Sequence, residues 1–439
     1  MKKAYLSTLG CKVNQFESAA FKTDMEERGL MVTRDVTEAD IVVINTCAVT
    51  NKASAQSRRE IRRAARRNPG AEIIVTGCHA QLAADELKSL PDIDQERLQI
   101  IGNEFKQSLV STILDKQSEP CKTVCGDMNE VTDISRLSVK RFGGRTRAFL
   151  RVQDGCNSFC SYCIVPFTRG RSRSLPYDEV VSQARTYGQA GHLEIVITGI
   201  HVGQYGTDLH AGIDICELMK RLCLALPSIR FRLSSIEPLE ISLELLTLMK
   251  ELDNFMPHLH IPLQSGDNDI LTRMNRRYNQ DQFVDVIETC NEIVPEAAIG
   301  IDVLVGFPGE TTAQFINTRN LLERINCTYL HVFPYSNRPG TKAATFGNQL
   351  NRHEKHERVD ILRNLGQAKK TDFYRQFIGT KRPALLETER AIDGRLKGFT
   401  DNYIPILAKG DDQLMNHVVL VDLQTLANTS VNGRIISDI

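Results

Sequence analysis

The sequence predicts an α/β protein with an N-terminal parallel sheet, a central partial (β/α)6 barrel and a small C-terminal antiparallel β-barrel. Strand-like runs alternate with segments of helical length in two separate series, and the end of the chain changes to short strands separated by turns. The 439 residues, 41% of them hydrophobic, are enough for more than one packed core. We therefore expect three domains, at residues 1–135, 136–372 and 373–439.

The first series predicts the N-terminal parallel sheet. Its strands are KKAYLSTLG, ADIVVINTC and AEIIVTGC, and its helices run from Ser18 to Gly29 and through the arginine-rich segment at residues 57–67. Alternation of this kind is typical of parallel strands joined by crossover helices.

The second series predicts the barrel. Its six strands are AFLRVQDG, LEIVITGI, IRFRLSSI, PHLHIPLQ, IGIDVLVGF and TYLHVFPY. Six β/α units form a partial barrel related to the eightfold one, in which active sites lie at the carboxyl ends of the strands. The tail, with RPALLETER, RLKGFTDNYIPILAK, HVVLVDL and SVNGRIISDI, has the short, turn-separated strands of a small antiparallel barrel.

Composition indicates the cellular compartment of the protein and the roles open to its cysteines. The segment MKKAYLSTLGCKVNQ lacks the apolar core of a secretion signal, and no run of about 18 apolar residues occurs. We therefore expect a cytoplasmic protein without a membrane span, in which the twelve cysteines act as metal ligands, catalytic groups or core residues. The formal net charge is zero, so the basic stretches at residues 57–67 and 136–151 are either solvated faces or phosphate-binding surfaces.

Cys156, Cys160 and Cys163 form a CxxxCxxC motif directly after the first barrel strand, at the expected active-site end. Three thiolates can hold a zinc ion or an iron–sulfur cluster. A structural zinc site needs a fourth ligand, and the following IVPFTRGRSR contains neither cysteine nor histidine. The motif favours a [4Fe–4S] cluster with one open iron, with structural zinc as the alternative.

Three further cysteines each come directly after a predicted strand of the N-terminal sheet. They are Cys11, Cys47 and Cys78. Because the carboxyl ends of parallel strands share one edge of the sheet, we expect the three thiols to converge. A single buried cysteine is usually a core residue, but the repeated placement favours a second ligand set.

The motif CxxxCxxC, with Tyr162 before its third cysteine, resembles the radical S-adenosylmethionine superfamily. TLGCKVNQFES, NTCAVTNKA and TGC resemble the methylthiotransferases within it, and GFTDNYIPI at residues 398–406 is similar to their RNA-binding TRAM domain. The resemblance implies S-adenosyl-L-methionine and two [4Fe–4S] clusters, one on each cysteine set. It also implies cofactor contacts at strand ends, which we expect at Tyr162, Gly199, Ser235, Glu237, Gln264 and Gly306.

The activity implied by the resemblance is radical methylthiolation. In that family a radical from S-adenosylmethionine abstracts hydrogen from C2 of an adenine next to the anticodon, and the second cluster delivers a methylthio group. All six cysteines are then catalytic. The implied partners are the tRNA anticodon stem-loop, a reductant such as flavodoxin or ferredoxin, and a sulfur donor.

The motifs LGCKVNQFES, NTCAVTNKAS and FTRGRSRS most resemble the branch that acts on N6-threonylcarbamoyladenosine. The alternatives are the isopentenyladenosine branch, whose first motif has Gln-Met-Asn in place of KVN at residues 12–14, and the branch that acts on a ribosomal-protein aspartate. A threonylcarbamoyl group carries a carboxylate, which needs a guanidinium or similar partner in a partly dry pocket. We expect Arg169, Arg171 or Arg173 to bind this carboxylate or flanking phosphates; the alternative is that they pair with acids of the barrel or hold the loop.

The other cysteines and the histidines carry weaker signals. We interpret His258 and His260 as satisfied residues of the barrel interior. Two other classes remain open: a radical enzyme whose second cluster only transfers electrons, and a non-catalytic RNA-binding protein with structural zinc. The cysteines that we interpret as structural are Cys121, Cys125, Cys216, Cys223, Cys290 and Cys327.

Overall fold

The computed structural model describes residues 1–91, 93–115, 123–210 and 212–438. Over these residues the predicted α/β class is confirmed, because a parallel sheet, a set of parallel barrel strands and a closed C-terminal barrel follow one another along the chain. Within the same ranges no helix is long and apolar enough to cross a membrane.

The N-terminal sheet has six strands, and all of its strand pairs are parallel. Its elements are β1 (Lys3–Thr8), α1 (Lys12–Glu27), β2 (Met31–Thr33), β3 (Ile41–Thr46), α2 (Asn51–Arg67), β4 (Glu72–Gly77), α3 (Cys78–Leu82), α4 (Ala84–Lys88), β5 (Leu98–Ile101), α5 (Leu109–Leu114) and β6 (Thr123–Val124). The spatial order β2-β1-β3-β4-β5-β6 makes β1, β3 and β4 neighbours.

Helix α1 connects the sheet to the barrel. It starts at Lys12 rather than at the predicted Ser18, because Val13, Phe16 and Ala20 extend its buried face towards the strand before it. Phe16 and Ala20 belong to the core of the barrel, whereas Phe21 on the same helix packs under the sheet. The helix therefore fixes the loop after β1 against the barrel.

The six predicted barrel strands are all present and form two parallel sheets of three strands each. The elements are β7 (Arg147–Arg151), β8 (Gln153–Asp154), α6 (Val165–Arg169), β9 (Arg173–Ser174), α7 (Tyr177–Gln189), β10 (Glu194–Thr198), α8 (Ile215–Ala225), β11 (Arg230–Leu233), α9 (Leu243–Glu251), β12 (His258–Gln264), α10 (Asn268–Arg273), α11 (Gln280–Ile293), β13 (Ala298–Val305), α12 (Thr312–Arg324) and β14 (Tyr329–Pro334). The sheets are ordered β11-β10-β7 and β12-β13-β14, and two isolated bridges, Phe231 to Phe255 and Ser235 to His260, connect β11 to β12. The strands thus form an open barrel whose carboxyl ends face one side.

The tail forms a closed five-stranded barrel, in which four of the five strand pairs are antiparallel, as predicted, and one is parallel. Its elements are α13 (Arg352–Gln376), β15 (Lys381–Arg390), β16 (Leu396–Thr400), β17 (Pro405–Ala408), β18 (Val418–Ala427) and β19 (Ser430–Asp438). Helix α13 runs through the expected boundary at residue 372, because Phe373, Tyr374 and Phe377 pack into the core of this barrel. The long helix therefore anchors the tail to the end of the central barrel.

Candidate active site

A cavity of about 970 Å³ lies where the three parts of the chain meet. Cys11 faces it from the N-terminal sheet, and Tyr403 faces it from the C-terminal barrel. Cys156, Cys160 and Cys163 line it from the central barrel. A molecule bound in this one space can therefore reach residues of both cysteine sets.

The barrel cysteines lie between β8 and α6, at the carboxyl end of the barrel. The Ser158 amide donates a hydrogen bond to Cys156 Sγ at 3.4 Å, and His201 Nδ1 lies 3.4 Å from the same sulfur. Burial on its own would raise the pKa of Cys156, but these two neighbours outweigh burial and lower it. Burial raises the pKa of Cys163 to about 12, so this thiol ionises at neutral pH only when a cation binds it.

The distances between ligand atoms distinguish a zinc site from an iron–sulfur cluster site. With Zn–S bonds of about 2.3 Å, the sulfurs of a tetrahedral site lie roughly 3.8 Å apart. Among the residues that the structure describes, His260, Asp302 and His331 are the one group with three possible ligand atoms within 4.8 Å of one another. Neither cysteine set forms such a group among the described residues, and a cluster does not require that close spacing, because its ligands bind different iron atoms.

The second cysteine set is built by three neighbouring strands. Cys11 follows β1, Cys47 follows β3, and Cys78 follows β4 as the first residue of α3, so all three lie at one edge of the sheet. The loop before Cys11 approaches Cys47 closely, since a Cβ at Gly10, whose φ is +95°, would lie 2.8 Å from Cys47 Sγ. This close approach requires glycine.

The thiols of this set disfavour one another's ionisation. Burial and then the neighbouring Cys78 raise the pKa of Cys47 to about 11. Burial also raises the pKa of Cys11, with Arg169 opposing the shift and Cys78 adding to it. A bound cationic cluster would relieve both effects, so these residues fit a second iron–sulfur cluster.

Five of the six residues expected to contact the cofactor line the cavity. Gln264 has φ +63° and interrupts the register between β12 and β13, a backbone irregularity of the kind that concentrates at binding sites. Gly306 does not line the cavity: its amide donates to Glu310 at 2.7 Å, and a Cβ there would meet Lys355. The five that do are Tyr162, Gly199, Ser235, Glu237 and Gln264.

Arg169, expected to bind substrate, is instead committed to a buried ionic cluster and does not line the cavity. Its side chain is 1% exposed and donates to Glu17 at 2.9 Å, to Asp154 at 3.0 Å and to Asn14 at 2.7 Å. Burial would raise the pKa of Glu17, but Arg169 and Lys106 overcome it and lower the pKa to about 2. Pairing with acids, the alternative weighed for this arginine, is what the structure shows.

The other two arginines of this loop also lie outside the cavity lining. Arg173 is buried and donates to the backbone carbonyls of Val131 and Arg169. Arg171 is exposed, and its guanidinium carbon lies 4.6 Å from the centre of the Phe159 ring. Arg173 therefore holds the loop, and only Arg171 has its charge available at the surface.

Several cavity residues were not predicted from the sequence. Arg276 donates to Cys160 Sγ at 3.3 Å and pairs with Glu237, but it belongs to no recognisable motif. Lys12 also lines the cavity, although its position next to Cys11 was the only signal in the sequence.

Histidines of β12 and β14 line the cavity rather than only filling the barrel interior. His260 Nε2 lies 2.8 Å from Asp302 Oδ1, and His331 Nδ1 lies 3.5 Å from the same oxygen. Burial would raise the pKa of Asp302, but the two histidines lower it. His258 Nε2 lies 2.7 Å from the Tyr329 hydroxyl, but its buried Nδ1 has no hydrogen-bond partner among the described residues, so the expectation of a satisfied histidine holds for one ring nitrogen only; His258 too lines the cavity.

The remaining motifs have mainly structural surroundings. Cys216, Cys223, Cys290 and Cys327 are buried in the barrel core, Cys125 is partly buried, and Cys121 lies outside the described residues. The arginine-rich segment is part of α2, as predicted. Its ion pairs are Arg58 with Glu86, Arg63 with Glu60, and Arg67 with Asp35.

Two family models match the chain. One, described as uncharacterized protein family UPF0004, matches residues 3–96, which contain the second cysteine set. The other, the Radical SAM superfamily, matches residues 150–322, which contain the CxxxCxxC motif.

Curated relatives are similar over most of the chain. The threonylcarbamoyladenosine tRNA methylthiotransferase MtaB of Bacillus subtilis is 37% identical, with 95% of this chain and 92% of the relative covered. The protein of the same name from Aquifex aeolicus is 37% identical over 93% of this chain and 97% of its own. A tRNA-2-methylthio-N(6)-dimethylallyladenosine synthase of Fusobacterium nucleatum is 32% identical over 99% of this chain and its whole length.

The fold has counterparts among solved structures. The radical S-adenosylmethionine methyltransferase TsrM from Kitasatospora setae, solved with cobalamin and a [4Fe–4S] cluster, has a TM-score of 0.57 at 15% identity, covering 78% of this chain and 77% of its own. This likeness shows the fold, and the curated relatives show the family. The chain belongs to the methylthiotransferase family of radical S-adenosylmethionine enzymes and, within it, to the MtaB type.

Proposed function

We propose that this enzyme converts N6-threonylcarbamoyladenosine next to the tRNA anticodon into its 2-methylthio derivative. The observation that carries the proposal is the shared cavity, because Cys11 lines the same space as Cys156, Cys160 and Cys163. The choice of substrate is supported by the relatives named for threonylcarbamoyladenosine, which are 35–38% identical, against 30–33% for those named for dimethylallyladenosine.

The proposed ligands follow from the two cysteine sets. Cys156, Cys160 and Cys163 hold one [4Fe–4S] cluster, and Cys11, Cys47 and Cys78 hold the other. When bound, the clusters and S-adenosylmethionine supply the radical that removes hydrogen from C2 of the adenine and the sulfur that replaces it.

The chain's own residues position the reactants. Arg276 sets the charge beside Cys160 and holds Glu237 at the cavity wall. Gly199 and Gln264 offer backbone at strand ends, where a small cofactor can approach closely. Tyr403 lines the cavity from the C-terminal barrel, and its ring is held by stacking on Phe399 and by the Arg232 guanidinium, so it forms a fixed wall for a base that has been splayed out of its loop.

Each of the three domains has its own role in the proposed reaction. Residues 1–135 carry the second cluster, residues 136–372 form the radical barrel, and residues 373–439 form a TRAM-type barrel that contacts RNA. The partners are the anticodon stem-loop, a reductant such as flavodoxin or ferredoxin, and a sulfur donor. The cytoplasm, where tRNA is modified, is the proposed location.

The proposal is tested by mass spectrometry of tRNA nucleosides. A strain lacking this gene is complemented with the wild-type gene or with a Cys156→Ala variant. We expect 2-methylthio-N6-threonylcarbamoyladenosine to be absent from the deletion strain, to return with the wild type and to remain absent with the variant.

The alternatives give different outcomes in the same experiment. Loss of 2-methylthio-isopentenyladenosine, with the threonylcarbamoyl derivative unchanged, would assign the enzyme to the other tRNA branch. An unmodified aspartate in a ribosomal protein, with both nucleosides unchanged, would assign it to the third branch. Either result would overturn the proposed substrate while leaving the family assignment intact.

A further inference from the structure

We infer that Lys12 binds the carboxylate of the threonylcarbamoyl group and thereby sets the substrate preference of the cavity. The inference rests on the proposed function, since it assumes that the bound base carries this group. It replaces the loop arginines, two of which are buried and bonded elsewhere, with a cation that faces the cavity.

Lys12 stands at the junction of two cavities. It lines the main cavity next to Cys11, and it also lines an adjoining cavity of about 390 Å³ that contains Arg147 and Arg232. His258 and Tyr403 line both spaces as well. A group that occupies both cavities therefore lies against the Lys12 side chain.

The ammonium of Lys12 has no hydrogen bond or ion pair with a protein group among the described residues, although Asp302 and Tyr403 lie near enough to influence it. The Lys12 side chain is exposed to the cavity, so an anionic ligand that fills this space would pair with the ammonium and shield the contact from bulk water.

The neighbouring cations are already paired. Arg232 donates to Glu194 at 2.8 Å and to the backbone carbonyl of Asp401 at 2.9 Å. Arg147 donates to Glu387 at 3.3 Å and lies 4.5 Å from the centre of the Phe399 ring. These arginines therefore hold the wall of the cavity. The cavity cations without an ion pair among the described residues are Lys12, Arg363 and Lys370, and of these Lys12 is the one next to Cys11.

The first turn of α1 strengthens this assignment. Cys11 makes no side-chain cap on the helix, and no acidic residue lies in the first turn. The backbone amides of Lys12 and Val13 therefore lack a capping side chain, and both residues line the cavity. The ammonium and this helix end offer positive charge to the same space.

The chemistry of the substrate matches this location. In adenine, the ring nitrogen N1 alone separates C2 from the carbon that bears N6. A base whose C2 faces Cys11 therefore carries its N6 substituent within reach of the residue next to Cys11. An isopentenyl group at this place would leave the ammonium unpaired, whereas a threonylcarbamoyl group brings its carboxylate to it.

The test measures binding to the reconstituted full-length enzyme, so that its result does not depend on turnover. Fluorescence anisotropy compares two anticodon stem-loops, one with N6-threonylcarbamoyladenosine and one in which the threonine carboxylate is replaced by a carboxamide. The proteins are the wild type, Lys12→Met, Lys12→Arg and, as a matched control, Lys370→Met. Lys370 is another lysine of the same cavity, on α13, without an ion pair in the described part of the chain.

The expected result is a selective loss. The wild type prefers the carboxylate by about 10- to 100-fold, the range of a charge-assisted hydrogen bond. Lys12→Met binds both RNAs with the affinity of the carboxamide form, Lys12→Arg keeps part of the preference, and Lys370→Met keeps all of it. Iron content and melting temperature establish that each variant is folded. If Lys12→Met does not fold, Lys12→Gln replaces it in the binding measurement.

Two results would overturn the inference: a wild type without preference for the carboxylate, or a Lys12→Met variant that retains the preference. The proposed function fails by a separate measurement, namely if the wild type does not methylthiolate the threonylcarbamoyl stem-loop. A wild type that is active on this RNA together with an unchanged Lys12→Met variant would refute the role of Lys12 alone.

Discussion

Replacement of Arg169 by methionine separates a structural role from substrate binding. The guanidinium is 1% exposed and makes five hydrogen bonds to three residues, Glu17, Asp154 and Asn14. Methionine retains much of the apolar volume but none of the charge. We expect Arg169→Met to destabilise the protein, because two buried carboxylates lose a shared partner.

The magnitude follows from the charges that remain. Breaking a buried ion pair costs about 3–5 kcal/mol. Here Glu17 keeps Lys106, and Arg151 lies 3.3 Å from Asp154 and 4.0 Å from Glu17, so each carboxylate still has at least one cation. We therefore expect the lower end, about 3 kcal/mol, which corresponds to a fall in melting temperature of about 6–12 °C for a unit of roughly 150–250 residues.

The assay is thermal unfolding followed by circular dichroism, with Arg171→Met as the matched control. Arg171 belongs to the same loop but is exposed, and within the described part of the chain its guanidinium stacks on the Phe159 ring without an ion pair. That contact contributes about 0.5–1 kcal/mol, so its loss lowers the melting temperature by at most about 4 °C. Equal shifts in the two variants would refute the reasoning. An unchanged melting temperature together with a raised KM for tRNA would instead make Arg169 a substrate ligand.

Three further predictions concern the clusters and the ionic network. Cys11→Ala should lower the iron content of the anaerobically reconstituted protein from about eight to about four per chain and abolish methylthiolation, while cleavage of S-adenosylmethionine continues; unchanged iron would exclude Cys11 as a ligand. Glu17→Gln should remove a stabilising contribution that the wild type has above pH 4.5 and loses as the pH falls towards about 2. In acid titrations, the difference in unfolding free energy between the two proteins should therefore shrink over that interval. Gly77→Ala should disrupt the second cysteine set and lower the iron content, because φ is +95° and the new Cβ would lie 2.3 Å from the Thr46 carbonyl oxygen. The control is Gly29→Ala, where φ is +80° but nothing lies within 4 Å of the new Cβ. This variant has the backbone strain without the clash and should keep its iron content.

The sequence predicted the fold where apolar periodicity is strong and failed where elements are short. Strand β3 is buried along its whole length and stands out as an apolar run. Strand β2, at Met31–Thr33, is too short to carry a pattern, and it exists because it pairs with β1. The start of α1 was placed too late because Lys12 and Asn14 mask the apolar face formed by Val13 and Phe16.

For the candidate site, too, some features could be predicted from the sequence and others could not. The convergence of Cys11, Cys47 and Cys78 could be predicted because the carboxyl ends of parallel strands always share an edge. The direction in which Arg169 points could not, because it depends on Glu17, an acid on a helix far away in the sequence. The exposure of Lys12 to the cavity depends equally on how the C-terminal barrel closes over it, which no local pattern records.

The buried network explains how two cysteine loops from different parts of the chain keep a fixed separation. Asn14, in the first turn after Cys11, donates to the backbone carbonyls of Leu9 and Thr46 and accepts from Arg169. Arg169 ends α6, the helix that follows the CxxxCxxC motif. Each loop is therefore tied to the other through one amide and one guanidinium, both buried. Radical transfer and sulfur delivery must reach the same carbon atom. Arg169 therefore contributes to the reaction by fixing the distance between the two cysteine loops, and not by contacting the substrate.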